Sequence, residues 1–248
     1  RRRCRKASRS PTRSSVASAN SALGPSARLA RRGAIPDDSD LDPLQLLEST
    51  AVVVAALFGV LLARSKEMDV VGVFCVAFLV AFGGGTLRDL LLDREPLFWI
   101  DNEHHAWTVF GIALLGSLLP RLPPGLERWL TLPDAIGLAL FSVVGAGVAI
   151  DFERYAMSPF LASLFGVMTG TAGGVLADIA CNDVPRLFRS STPLYASCSF
   201  LGCWLYLLLR RTAVGEVVAL WAGAALIVLV RLVAVRWHLS LPPAGGRR

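Results

Sequence analysis

The sequence predicts an all-α integral membrane protein with seven transmembrane helices. They form two inverted three-helix repeats plus one C-terminal helix, and the second and fifth helices are kinked. Three observations predict this. The 248-residue chain is 54% hydrophobic and only 18% charged, where soluble domains carry about 25% charged residues. Its apolar residues gather in runs approaching the ~20 residues that a ~30 Å hydrocarbon layer demands. One motif also occurs twice, 89 positions apart: Phe82 to Pro96 reads FGGGTLRDLLLDREP, and Ala172 to Pro185 reads AGGVLADIACNDVP.

The N-terminal stretch stands apart. Residues 1–32 hold ten Lys or Arg and no acid, and residues 33–40 add three Asp, so this leader carries +7 of the net +6 and the body sums to −1. An Arg- and Ser-rich, acid-poor stretch without an apolar core fits a transit peptide of a plastid or mitochondrion; a disordered basic tail touching anionic lipid or nucleic acid is the other reading. The −1 body gives no reason to expect a nucleic-acid partner. Without the leader, a plasma or inner membrane would be the expected place.

The spans follow in order. The first, Leu46 to Ala63, is closed by Arg64 and Lys66. The second, Val70 to Leu92, contains Gly83, Gly84 and Gly85 and stops near Pro96. The third, Ala106 to Leu119, is short and ends at Pro120. The fourth runs from about Pro133 to Ile150 and is rich in glycine. The fifth, Pro159 to Cys181, contains Gly173 and Gly174. The sixth, Leu194 to Leu209, stops at Arg210 and Arg211, and the seventh runs from Val214 to Val235, with Arg231 near its end. The expected divisions are residues 1–40 (leader), 41–125 (first repeat), 126–212 (second repeat) and 213–248 (seventh helix and tail).

The offset of 89 also places Phe58 to Arg64 on Gly147 to Glu153 and Met68 on Met157. A repeat of three spans crosses the membrane an odd number of times, so its second copy enters from the opposite face. That gives a two-fold axis in the membrane plane, as in many secondary transporters. Loops after odd-numbered helices and the C-terminus carry nine Lys or Arg, against four after even-numbered helices. The positive-inside rule then puts the C-terminus inside.

Glycines weaken a helix, and lipid tolerates free backbone groups or charge only where protein or a watery cavity receives them. Gly83, Gly84, Gly85, Gly173 and Gly174 are therefore expected to break or kink their helices and line a polar path; close helix packing is the structural alternative. Arg88, Asp89 and Asp178 are expected near opposite mouths of that path, or else at helix ends in the headgroups. Ala177 stands where Arg88 stands in the first copy, so the second mouth is expected to be the more negative. Thr169 and Thr171 can satisfy carbonyls freed by a kink or touch the permeant species. Arg231 is expected to snorkel to the inner interface. Trp99 and Trp107 are expected as interfacial anchors. Asp101, Glu103, His104 and His105 lack a third spaced imidazole, so no metal site is assigned. The five cysteines show no CxxC spacing and read as packing residues. With neither a nucleophile–base pair nor a phosphate loop, no enzyme and no cofactor is expected.

The segment GGGTLRDLL at Gly83 to Leu91, with Pro96, Phe98 and Trp99 after it, resembles the bacterial and plant family of glycine transporter domain membrane proteins. GGVLADI at Gly173 to Ile179 looks like its second copy. That family is similar to prokaryotic TRIC (trimeric intracellular cation) channels, and the resemblance covers Leu46 to about Arg236. It implies a seven-helix fold, a homotrimer, and a pore in each protomer for potassium or other monovalent cations, bounded by the second and fifth helices. Gly83, Gly84, Gly85, Arg88, Asp89, Gly173, Gly174 and Asp178 are the pore residues it implies. The family often has Arg before the second Asp, and Ala177 departs from that. Membrane lipids are the surrounding partner. A carrier of glycine or another small zwitterion fits the same inverted repeat, and a membrane scaffold is the reading from outside transport.

Overall fold

The structure, a computed structural model, describes residues 43–119, 127–189 and 194–239. The leader, the Pro120 to Pro124 connection and the arginines at the C-terminus lie outside these residues. The described elements are α1 (Pro43–Ser65), α2 (Val70–Leu92), α3 (Phe98–Asp101), α4 (Glu103–Leu118), α5 (Glu127–Asp151) and α6 (Pro159–Ala180). A 3-10 turn (Arg186–Phe188), α7 (Ala196–Leu209) and α8 (Glu216–Arg236) follow.

Among the described residues five helices, α1, α2, α5, α6 and α8, are long and apolar enough to cross a membrane. At 1.5 Å per residue the 23 residues of α2 reach about 35 Å. The apolar α7 has 14 residues and reaches about 21 Å. Exposed positions along these helices are themselves apolar, and α4 turns Trp107, Phe110, Leu114, Leu115 and Leu118 outward. An outer surface of that kind suits hydrocarbon and not water. The protein is an all-helical, multi-pass integral membrane protein.

The core forms around α5. In its apolar window 78% is buried, against 39% in α6 and in α8. It packs on α1, α6, α7 and α8, presenting Leu138, Val143, Val144, Ala146 and Ala149. Small residues at this surface let neighbours approach closely, which is how membrane helices gain packing energy where no hydrophobic effect favours association.

Local chemistry sets where α2 and α6 begin and end, with matching devices 89 positions apart. Asp69 caps α2 by accepting from Gly72 N at 2.8 Å, and Ser158 caps α6 by accepting from Leu161 N at 3.3 Å. Pro159, at the first helical position, brings a preset φ and no orphan N–H. At the other ends Asp93 and Asn182 take left-handed φ values of 55° and 57°, a conformation these short polar residues tolerate. The chain then closes with Arg94 N donating to Asp89 O and Asp183 N donating to Asp178 O, both at 2.9 Å.

Contacts between turns fix which helix ends meet. Lys66, after α1, pairs with Asp183, after α6, at 2.7 Å. Arg154, after α5, pairs with Asp93, after α2. Arg210, after α7, reaches Asp151 at 2.7 Å and Glu216, where α8 begins, at 3.4 Å.

Three expectations are corrected. The glycines do not break their helices: α2 and α6 are helical without interruption through Gly83, Gly84, Gly85, Gly173 and Gly174. With no water in hydrocarbon to receive freed groups, the i to i−4 bond is retained, and the missing Cβ serves packing. The third span, expected from Ala106, begins a turn earlier at Glu103 and is preceded by the short helix α3. Trp99, expected as an interfacial anchor, packs inward: it stacks on Phe82 at 5.5 Å and donates to Thr86 Oγ1 at 3.0 Å.

Candidate functional site

The two glycine segments meet at the crossing of α2 and α6. A Cβ built on Gly84 would lie 1.9 Å from Thr169 O, and one on Gly173 would lie 2.4 Å from Val80 O. These two contacts exchange under the same offset of 89, since Val80 corresponds to Thr169 and Gly84 to Gly173. Gly83 lies against Gly173 and Leu176, and Gly85 against the Phe98 ring. Gly174 is looser, meeting only Tyr195 Oη at 3.3 Å. Four of the five predicted glycines are thus contact surface for backbone or rings. Thr169 and Thr171 donate their hydroxyls to Phe165 O and Val167 O of their own helix at 2.7 and 2.8 Å, so neither serves a break in α6.

One charge cluster joins the start of α1 to the end of α2. Arg88, fully buried, donates from Nε to Asp89 Oδ1 at 2.8 Å and from both Nη atoms to Glu48 Oε1 at 3.1 and 3.2 Å. Asp89 accepts from Phe98 N through Oδ2 at 2.9 Å, anchoring the turn that starts α3. Arg94 approaches Asp89 Oδ1 at 3.6 Å, and the Arg88 guanidinium lies 5.4 Å from the Phe98 ring centre. Two carboxylates face two guanidiniums. Burial is tolerable for Arg88, Glu48 and Asp89 because each is paired and hydrogen-bonded, while Arg94 adds only a longer-range attraction to Asp89.

A second cluster joins the start of α5, the end of α6 and the far part of α8. Asp178 accepts from Arg186 N at 2.9 Å and from its side chain in two places, Nε to Oδ2 at 3.2 Å and Nη2 to Oδ1 at 3.1 Å. Arg186 also reaches Asp134 Oδ1 at 3.3 Å, and Arg231 reaches Asp134 Oδ2 at 3.5 Å. Tyr195 donates its hydroxyl to Asp134 Oδ1 at 3.1 Å. Arg186 lies over the Phe58 ring at 4.9 Å, and Arg231 over Tyr195 at 4.7 Å. Burial is the largest influence on the Arg186 guanidinium and pulls its pKa down. The Asp134 and Asp178 carboxylates outweigh it, so the group is held above its ordinary value and stays charged.

A partly open cavity of about 330 Å³, open solvent included, adjoins the second cluster, lined by Phe58, Val80, Asp134, Thr169, Gly174 and Tyr195 among others. Its polar groups touch the second cluster, while the first is sealed behind Phe98. The free space holds about one water. It can accommodate one species of that size, and its one carboxylate, Asp134, is paired with Arg186 and Arg231.

Of the predicted site residues, Gly174 lines this cavity. Gly83, Gly84, Gly85 and Gly173 are packing positions outside its lining, Thr171 bonds its own helix, and Arg88, Asp89 and Asp178 belong to the buried clusters. Two further expectations are corrected here. Asp178 does not lack a cation: Arg186, from the turn after the motif, supplies the charge missing at Ala177. Arg231 does not snorkel outward; it is 4% exposed and turned in to Asp134 and to Leu194 O, 3.2 Å away. Glu48, Asp134, Arg186 and Tyr195 escaped the sequence reading. The first two carried a usable signal, being acids at the edges of apolar runs, where an unneeded charge is rare. Nothing in sequence spacing marks Arg186 or Tyr195.

Comparison with known proteins places this geometry. The glycine transporter family profile matches residues 45–121 and 131–211. A UPF0126 membrane protein of Vibrio cholerae is 36% identical over 82% of this chain and 83% of its own length. The UPF0126 inner membrane protein YadS of Escherichia coli is 35% identical over 79% of this chain and 93% of its own. Among solved structures, a TRIC trimeric intracellular cation channel orthologue from Rhodobacter sphaeroides aligns with a TM-score of 0.73 at 32% identity, covering 79% of this chain and 98% of that one. A second, from work on conductance through TRIC cation channels, gives 0.70 at 28% identity over 82% and 98%.

Proposed function

The chain belongs to the glycine transporter family, and on that premise we propose that it is a channel passing potassium or other monovalent cations. The pore runs within each protomer of a homotrimer set in membrane lipid. The likeness to trimeric cation channels at 32% identity supports this. The observation that carries it is the cavity beside the α2 and α6 crossing, with the Asp134 carboxylate in its wall.

The architecture belongs to the same reading. The body forms two three-helix repeats, α1, α2 and α4 followed by α5, α6 and α7, with α8 added, so seven helices span. Residues 41–125 and 126–212 are the two halves and 213–248 the addition. Inversion is supported by the exchanged contacts of Gly84 with Thr169 and Gly173 with Val80. It is supported equally by the pairing of Lys66 with Asp183 and of Arg154 with Asp93, which put the end of each half's second helix beside the turn preceding the other's.

The path follows the α2 and α6 crossing past Gly174 and Asp134, with Gly83, Gly84, Gly85, Gly173 and Thr171 holding its walls and Arg88, Asp89 and Asp178 in the clusters at its two ends. Purified protein in planar bilayers tests the proposal. Unitary currents in potassium chloride without glycine are expected, and Asp134→Asn should lower potassium selectivity over chloride. Saturable counterflow of labelled glycine with no currents would replace the channel by a carrier of small zwitterions.

A further inference from the structure

We infer that Arg186 is a tethered cation that closes the path at its Asp134 end, its guanidinium standing where a permeant cation passes when the channel conducts. This rests on the channel reading above. Asp134 is a wall of the cavity and is 5% exposed. Both its oxygens are taken by the protein's own cations, Oδ1 by Arg186 at 3.3 Å and Oδ2 by Arg231 at 3.5 Å. A cation in the cavity therefore meets a carboxylate already neutralised.

The arginines differ in their freedom to leave. Arg88 and Arg231 sit inside long helices with side chains 0% and 5% exposed. Arg186 sits in a three-residue 3-10 turn, and its side chain is 24% exposed. It can swing toward solvent by side-chain rotation once its two side-chain bonds to Asp178 and its contact with Asp134 break. Its backbone meanwhile stays anchored by Asp178 through the Arg186 N–H.

Charge decides the consequence. With Arg186 in place, Asp134 and Asp178 are balanced by Arg186 and Arg231. With its side chain withdrawn, the cluster carries −1 beside the cavity, and the Phe58 ring, 4.9 Å from the guanidinium, is uncovered as a second weak cation contact. The cluster at the other end also has a partly exposed arginine, Arg94, but neither of its carboxylates, Glu48 and Asp89, lines the cavity, and Arg88 stays bonded to both. The closure that faces the cavity thus lies at the Asp134 end.

Single-channel recording of wild type, Arg186→Gln and Arg186→Lys in planar bilayers tests this, with melting midpoint and gel-filtration profile as checks on folding. Arg186→Gln should raise open probability in potassium chloride by about 5- to 150-fold, the usual span of such couplings, with unitary conductance little changed. Arg186→Lys, which keeps the charge, should stay close to wild type. Wild-type open probability should also rise with potassium at ionic strength held constant by N-methyl-D-glucamine chloride, because potassium competes with the guanidinium for Asp134. Wild-type currents that depend on neither potassium nor Arg186→Gln would overturn the closure and leave the channel standing. Silence in wild type and variants alike would remove the channel itself, and the closure with it. If Arg186→Gln does not fold, the potassium dependence of the wild type decides alone.

Discussion

Gly84→Ala is the sharpest test of what the doubled glycines do. The new Cβ would lie 1.9 Å from Thr169 O, a backbone atom of α6 that no side-chain rotation can move. Ordinary contact begins at 3.4 Å, so α2 and α6 must separate locally by about 1.5 Å. Overpacking of a well-filled interior costs about 1–3 kcal/mol. In a domain of this size each kcal/mol moves the melting midpoint by about 2–4 °C, so a fall of about 2–12 °C is expected. Gly173→Ala, with 2.4 Å to Val80 O, should fall less, and Gly174→Ala, with 3.3 Å to a tyrosine hydroxyl, less again. Gly111→Ala is the control: nothing lies within 4 Å of its Cβ, and alanine is the better helix former by about 1 kcal/mol. Thermal unfolding of the four variants in one detergent reads the order directly. A Gly84→Ala midpoint no lower than that of Gly111→Ala would refute close packing and restore a helix break as the role of these glycines.

Other predictions concern charge. Arg88→Met leaves Glu48 and Asp89 buried without their cation and should cost about 3–5 kcal/mol, seen as a large fall in melting midpoint. Asp183→Asn removes an exposed bridge worth about 0–1 kcal/mol after solvent screening. The Lys66 hydrogen bond holds the Asp183 carboxyl below its ordinary value, so that stabilisation is complete above the usual pKa of about 4 and lost as pH falls through the lowered one. The same bond raises Lys66, so it is lost again only as pH rises past about 10.4. The midpoint difference between wild type and Asp183→Asn should be flat from pH 5 to 9 and shrink below about pH 4. Trp99→Phe removes the bond to Thr86 and should lower stability by about 0.5–1.5 kcal/mol in denaturant unfolding.

Much of this protein could be read from residue order alone. The span expected over Val70 to Leu92 has the bounds of α2, and that expected from Pro159 ends one residue beyond α6, because lipid requires an unbroken apolar run for each crossing and tolerates few exceptions. The doubled motif was equally legible, since comparing a chain with itself needs no coordinates. What the glycines are for was not. A missing Cβ reads the same whether it frees a backbone or admits a neighbour, and only the approach of Thr169 O to Gly84 and of Val80 O to Gly173 distinguishes the two. Charge pairing was hidden for a related reason. Ala177 suggested an uncompensated Asp178, but electrostatic attraction acts through space: Arg186 from the next turn, Arg231 from α8 and Asp134 from α5 converge within 3.5 Å of a partner. Sequence fixes what hydrocarbon must accept along one helix; tertiary structure decides which charges from distant helices meet, because only there do separations shrink to the distances at which they neutralise.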